Sequence, residues 1–129
     1  MNFSKNLFKL TFLSFSALAF SQENNLKNIQ KLTFGGDNAE AYFSYNNKFL
    51  TCQITNAKKG ISCDQIFAID IKKAANDSLY SPHLISTGKG RTTCSYFLKD
   101  GKHVLYASTH EANSACPDAG DLRKGGKYL

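Results

Sequence analysis

Short runs of alternating apolar and polar residues, punctuated by Gly, Asn and Asp, set the pattern of this chain and predict strands joined by tight turns. The fullest example is residues 92–108, TTCSYFLKDGKHVLYAS, where an alternating strand leads into Lys99-Asp-Gly-Lys102 and out into a second strand. Asp100-Gly101 supplies the residue types that tolerate positive φ, which a two-residue hairpin turn needs if its twist is to match the strands. Tyr96-Phe97 before the turn and Val104-Leu105-Tyr106 after it are apolar enough for strands covered on both faces. A lone hairpin cannot bury such residues, so the unit is expected to stack on neighbours.

The same pattern occurs 54 residues earlier, with Tyr42 falling on Tyr96, Phe43 on Phe97, Asn46 on Asp100, Lys48 on Lys102 and Leu50 on Val104. Upstream, Thr33 falls on Thr87 and Gly36 on Gly90 without a gap. Asn46-Asn47 takes the turn position of Asp100-Gly101. A period of this size is how blade and solenoid arrays show in sequence.

In order, residues 32–34 read as a short strand, 35–38 as a loop, 39–45 as the innermost strand and 48–55 as its hairpin partner. A loop at 56–61, a third strand at 64–71, a loop at 72–82 and an outer strand at 84–87 follow. Residues 71–75 offer one turn of helix. The second unit starts at Thr93 and supplies two strands before His110, after which residues 110–128 are turn-rich.

The order of strand, Tyr-Phe, short linker, Asp-Gly-Lys, strand and then Ile66-Phe-Ala-Ile-Asp70 resembles the TolB-type propeller repeats, relatives of the WD repeats. That family's usual turn is Ser-Pro-Asp-Gly-Lys. Here Ser44-Tyr-Asn-Asn-Lys48 and Leu98-Lys-Asp-Gly-Lys102 replace it, both without the proline. The likeness covers roughly residues 30–110. It implies an all-β fold of β-propeller blades, each of four antiparallel strands, with residues 32–87 as the first blade and 88–129 as a second, incomplete one with an irregular tail. Propellers close with typically about 4 to 8 blades, and two leave open edges.

Residues 1–21 read as a signal peptide: Lys5 and Lys9 give a positive start, residues 10–20 are apolar apart from Thr11, Ser14 and Ser16, and Ala19-Phe-Ser21 has the small residues a signal peptidase reads. The apolar run is shorter than the roughly 20 residues of a membrane span, and no cysteine before Cys52 marks a lipoprotein. Cleavage is expected after Ser21, with residues 22–31 a flexible, Asn-rich lead-in. Removing 21 residues from 129 leaves 108, which is two periods of 54. The expectation is therefore an N-terminal fragment of a longer, exported propeller, periplasmic or secreted, with further blades missing; a small self-contained β domain is the rival.

The formal charge is +6, from sixteen basic and ten acidic residues, and loss of Lys5 and Lys9 takes it to +4. The lysines are spread among turns, whereas nucleic-acid binding wants a clustered basic face. Four cysteines behind an export signal point to disulfides. Cys52 takes an apolar strand position and reads as a buried thiol. Cys63, entering the third strand, and Cys94, in the next unit's inner strand, both lie near the seam between blades, so a Cys63–Cys94 bridge is favoured; Cys116 is then free, paired elsewhere or close to the same rim. Zinc held by Cys63, Cys94, Cys116 and His110 lacks any CxxC or HxxxH spacing, and a Cys-His nucleophile lacks an orienting group. His83 and His103 read as surface residues. Gly88-Lys-Gly-Arg91 lacks the phosphate-loop order and reads as a connection between units. No cofactor is expected.

The resemblance places Arg91, Thr92 and Thr93 where inter-blade loops face the propeller channel, with Asp37, Asn38 and Glu40 their counterparts one period earlier. With His110 they make the expected partner-binding rim. It implies an exported, non-catalytic module binding a protein or cell-envelope component, with no nucleic acid and no stable membrane span after signal cleavage. The alternative is the propeller portion of a larger hydrolase of the prolyl-oligopeptidase kind, its catalytic domain beyond Leu129, since no G-x-S-x-G elbow occurs here. A sugar- or metal-binding propeller using His110 and the cysteine rim is a third option.

Overall fold

A computed structural model describes residues 25–117. Strands β1 (Asp37–Phe43), β2 (Phe49–Asn56), β3 (Ile61–Asp70) and β4 (His83–Leu84) form one antiparallel sheet in that order, and β5 (Thr92–Phe97) and β6 (Val104–Ser108) form a second. The protein is thus all-β, and neither sheet closes on itself. Its one α-helix among the described residues, α1 (Ile71–Asn76), falls where a helical turn is expected, and the Asp70 carboxylate caps it by accepting from the Lys73 amide at 3.0 Å. Among the described residues no helix is long and apolar enough to cross a membrane.

Several expected boundaries shift, β1 among them, which begins at Asp37 and ends at Phe43 where 39–45 is expected. Residues 32–34 are not a strand; no ladder partner pairs with them, and Leu32 instead packs against the core. β3 starts at Ile61, because Asn56 and Ile61 pair beyond an irregularity in which Thr55 stands opposite residues 62–64 of β3. The outer strand shortens to His83–Leu84: the amides of Ile85 and Ser86 both donate to the Ile66 carbonyl (2.8 and 3.2 Å), which curls the chain off the sheet.

The two central strands of the first sheet, β2 and β3, are buried on both faces, while β1 and β4 are exposed. Leu50, Cys52 and Ile54 of β2 and Phe67 and Ile69 of β3 make one core, closed by Ala74 of α1 and edged by Leu32, Ile61, Ile71 and Tyr80. Strand alternation turns Thr51 and Ile66 to the opposite face, where both are fully buried. β5 packs across β1, β2 and β3 there. Its Thr92, Ser95 and Phe97 are buried, and the Thr51 hydroxyl donates to the Ser95 carbonyl at 3.4 Å.

The two hairpins share one register at an offset of 54, since Ala39↔Gln53, Tyr42↔Thr51 and Phe43↔Leu50 answer Thr93↔Ala107, Tyr96↔Leu105 and Phe97↔Val104. Each first strand carries a bulge at the same place. Glu40 and Ala41 together face Cys52, as Cys94 and Ser95 face Tyr106. The positive-φ residue of each bulge is Glu40 (φ 53°) or Cys94 (φ 50°). This extra residue resets the alternation, so that Thr92 and Ser95 share the inner face.

The turns match as well. The Ser44 amide donates to Phe49 O and the Leu98 amide to His103 O (2.9 and 2.8 Å); inside them the Asn47 amide reaches Ser44 O and the Gly101 amide reaches Leu98 O (2.9 and 3.0 Å). Each loop therefore spans four residues between its closing pair, and not the two expected. One residue per loop takes positive φ, Asn47 at 56° and Gly101 at 67°, and the side chains of Asn46 and Asp100 accept from the amides of Lys48 and Lys102.

Gly36 and Gly90 have positive φ and sit against equivalent backbone: a Cβ on Gly36 would meet the Thr55 carbonyl and Asn56, and one on Gly90 would lie 2.7 Å from the His110 amide nitrogen. Gly90→Val is expected to destabilise the protein by about 2 to 3 kcal/mol, from φ strain and backbone collision together. Gly101→Val, with φ 67° but open space around its Cβ position, should cost only about 1 kcal/mol. Chemical denaturation checks the ranking; equal costs would contradict the packing at Gly90.

Candidate functional site

The seam between the two sheets gathers the polar side chains. The Asp64 carboxylate on β3 accepts a short hydrogen bond from the Thr55 hydroxyl and faces the Arg91 guanidinium, Nε to Oδ2 3.6 Å. That ion pair is too long for a hydrogen bond, and Arg91 Nε has no hydrogen-bond partner among the described residues. The Thr92 hydroxyl donates to the Asp64 carbonyl (3.0 Å). Beneath it, the Gln65 side-chain amide donates to Gly90 O (2.9 Å) and accepts from the Ser86 hydroxyl (2.7 Å), which itself accepts from the Ile66 amide (3.0 Å). This buried chain locks the connection between the sheets onto β3.

The expected rim residues divide. Arg91 and His110 stand at the seam, the Arg91 amide donating to the Thr109 hydroxyl (2.9 Å). Thr93 is half-buried beside them. Thr92 is fully buried with its hydroxyl engaged; it holds the seam closed and is no part of an accessible rim, a correction that follows from the β5 bulge turning it inward. Asp37, Asn38 and Glu40 are exposed and lie on edge strand β1, not in a loop. Asn38 donates to the carbonyls of Gly35 and Gly36, and Glu40 accepts from the Tyr42 hydroxyl at 2.8 Å, which raises the Tyr42 pKa above its ordinary value. The two groups connect through Thr55, the register partner of Asp37 and hydrogen-bond partner of Asp64.

The disulfide differs from the expected pairing. It joins Cys63 to Cys116, with Cα atoms 5.7 Å apart, and Cys94 is an exposed free thiol. Cys94 is the positive-φ residue of the β5 bulge, which turns its side chain away from Cys63. Cys116 reaches Cys63 because the chain doubles back after β6, where the Gly90 amide donates to Ser114 O (2.8 Å) and those of Ala112 and Asn113 to Thr109 O. Cys52 is a buried free thiol, and burial pushes its pKa up, which suits an inert core position.

His110 Nδ1 lies 2.7 Å from the Ser108 hydroxyl and its Nε2 3.3 Å from Glu111. The order suggests a nucleophile, yet Ser108 Oγ also accepts from the His110 amide, and the Glu111 side chain is 90 % exposed. These are features of a local turn, and the buried base and orienting acid of a triad are not formed. Among the described residues no group of three or more His, Cys, Asp or Glu is placed to hold a metal. A cleft of about 230 Å³ opens between Phe34, Asn38, Ile54, Ile61 and Tyr80, and wider clefts of about 420 to 470 Å³ lie against residues 34–37 and 55–59 and on either side of α1.

His83 is exposed on β4. His103 lies in the second turn, where its Nδ1 hydrogen-bonds the Asp100 carboxylate. That bond first, then the amides of Lys102 and His103, hold Asp100 down at about 2. The folded-state value is depressed, so this contribution to the turn is present above the ordinary carboxylate value of about 4 and is lost as pH falls through about 2. An NMR titration of the Asp100 carboxyl should show that low midpoint; one near 4 would mean the turn contacts do not form.

Asp64, Gln65 and Ser86 were not anticipated as site residues. Gln65, the polar residue directly before the apolar run Ile66-Phe-Ala-Ile69, carried a signal only through its nearness to that run, since a buried amide demands partners. No family model, curated protein or solved structure matches the chain.

Proposed function

We propose that the protein is an exported, non-catalytic module of stacked β-hairpin units, of the TolB propeller kind, that binds a protein or cell-envelope partner along the seam between units. The observation that supports this reading is the constant offset of 54 in register, bulge and turn hydrogen bonds between the two hairpins. Unrelated hairpins have no physical reason to place a positive-φ bulge residue, a positive-φ turn residue and a glycine against backbone at one fixed spacing. A four-stranded meander with the next unit lying on its face is what blade-like stacking requires.

Partner binding follows from what the seam offers. Arg91, His110 and Thr93 are partly accessible, with Asp37, Asn38 and Glu40 exposed on β1, and among the described residues no positioned nucleophile accompanies them. Loops and edges carried by a rigid sheet commonly hold binding function. A photocrosslinking side chain at Glu40 or Thr93 in the producing cell should give a discrete adduct, while the same group at Lys58 or Lys72 gives none, and the mature protein should begin at Gln22. Adducts independent of position, or an intact N-terminus on the exported protein, would contradict the proposal.

A further inference from the structure

We infer that the outer face of the second hairpin is a docking surface for a second copy of this chain, which presents the β1 strand of its first hairpin head to tail. The inference rests on reading the two hairpins as equivalent units, because the molecule itself then shows what covers such a face. In the first hairpin, Tyr42, Thr51 and Gln53 share the face on which β5 lies. Thr51 is fully buried there, and the Tyr42 ring lies 5.7 Å from that of Tyr96. At the offset of 54 the same positions in the second hairpin are Tyr96, Leu105 and Ala107; Leu105 is 65 % exposed where Thr51 is fully buried, and Tyr96 is 51 % exposed against 39 % for Tyr42.

The covering surface is duplicated in the same way. Thr92, Ser95 and Phe97 of β5 do the covering within the chain, and their counterparts on β1 are Asn38, Ala41 and Phe43. All three are exposed; Phe43 is 60 % exposed where Phe97 is 8 %. One chain thus presents both halves of the β1–β2 part of an interface that it also forms once internally; the β3 part has no counterpart among the described residues of the second sheet. The two halves are different patches, so the contact is heterologous. None of the six residues is charged, and replacement of Thr51 and Gln53 by Leu105 and Ala107 makes the open face the more apolar of the two. Exposed aromatic and leucine side chains grouped in this manner mark interaction sites.

Sedimentation equilibrium on the purified protein, as the cell delivers it, tests this. The mass should rise with concentration, and Leu105→Lys and Phe43→Lys should each weaken association at least about tenfold. Leu79→Lys, at a 90 % exposed position on neither face, should leave it unchanged, and circular dichroism checks that all three variants fold. A mixture of Leu105→Lys with Phe43→Lys should form a dimer and nothing larger, because each supplies the intact half the other lacks. A protein that stays monomeric at about 0.1 mM, or variants that do not restore each other, would overturn the inference. Cross-strand contacts measured on the same samples keep the outcomes apart: a monomer with matching hairpin registers rejects the docking alone, and unequal registers reject the unit reading beneath it.

Discussion

Phe97→Ala is expected to destabilise the protein by about 3 to 5 kcal/mol, the cost of deleting a buried aromatic ring together with the cavity it leaves. Phe43→Ala, at the same place in the first hairpin, should cost less than about 0.5 kcal/mol under dilute, monomeric conditions, as surface substitutions usually do. The contrast comes from one difference. Phe97 is 8 % exposed between the sheets, and Phe43 is 60 % exposed on an edge strand. Urea unfolding of the two variants measures it directly, and equal losses would mean that β5 does not lie on the first sheet.

Removing the bridge by Cys63→Ser with Cys116→Ser is expected to cost about 4 kcal/mol in the chain-entropy account, because the link closes a long loop with a sequence separation of 53. The replacements also release the segment after β6 from the seam, so His110 should gain hydrogen-exchange freedom while α1 does not. Thiol mapping gives the companion result. Without reductant, alkylation should reach Cys94 in the folded protein and Cys52 only after unfolding, with Cys63 and Cys116 protected throughout. A double variant as stable as the parent, or labelling of Cys116 without reductant, would contradict the assignment.

Much of the fold was legible from local chemistry. Apolar alternation located the hairpin strands, and the Asn and Gly residues at Asn47 and Gly101 marked the places where φ turns positive. Cys52 was readable as a buried thiol because it replaces an apolar residue in an inward position. Other features depend on contacts distant in sequence. Nothing local to Cys94 announces a bulge, and the bulge alone decides that Thr92 faces in and Cys94 faces out. The path that brings Cys116 to Cys63 is set by the Gly90 amide and Ser114, and Asp64 meets Arg91 only because β5 crosses β3. The short β4 and the missing strand at residues 32–34 have the same origin, since edge pairing is a property of the partner as much as of the segment.

The central claim is that the two hairpins are one structural unit in one register, and cross-strand backbone NOEs test it most directly. Contacts joining Ala39 with Gln53 and Tyr42 with Thr51 should reappear between Thr93 and Ala107 and between Tyr96 and Leu105, with the irregularity falling at Glu40 and at Cys94. A second hairpin slipped by even one residue against the first, or lacking its bulge, would contradict the account.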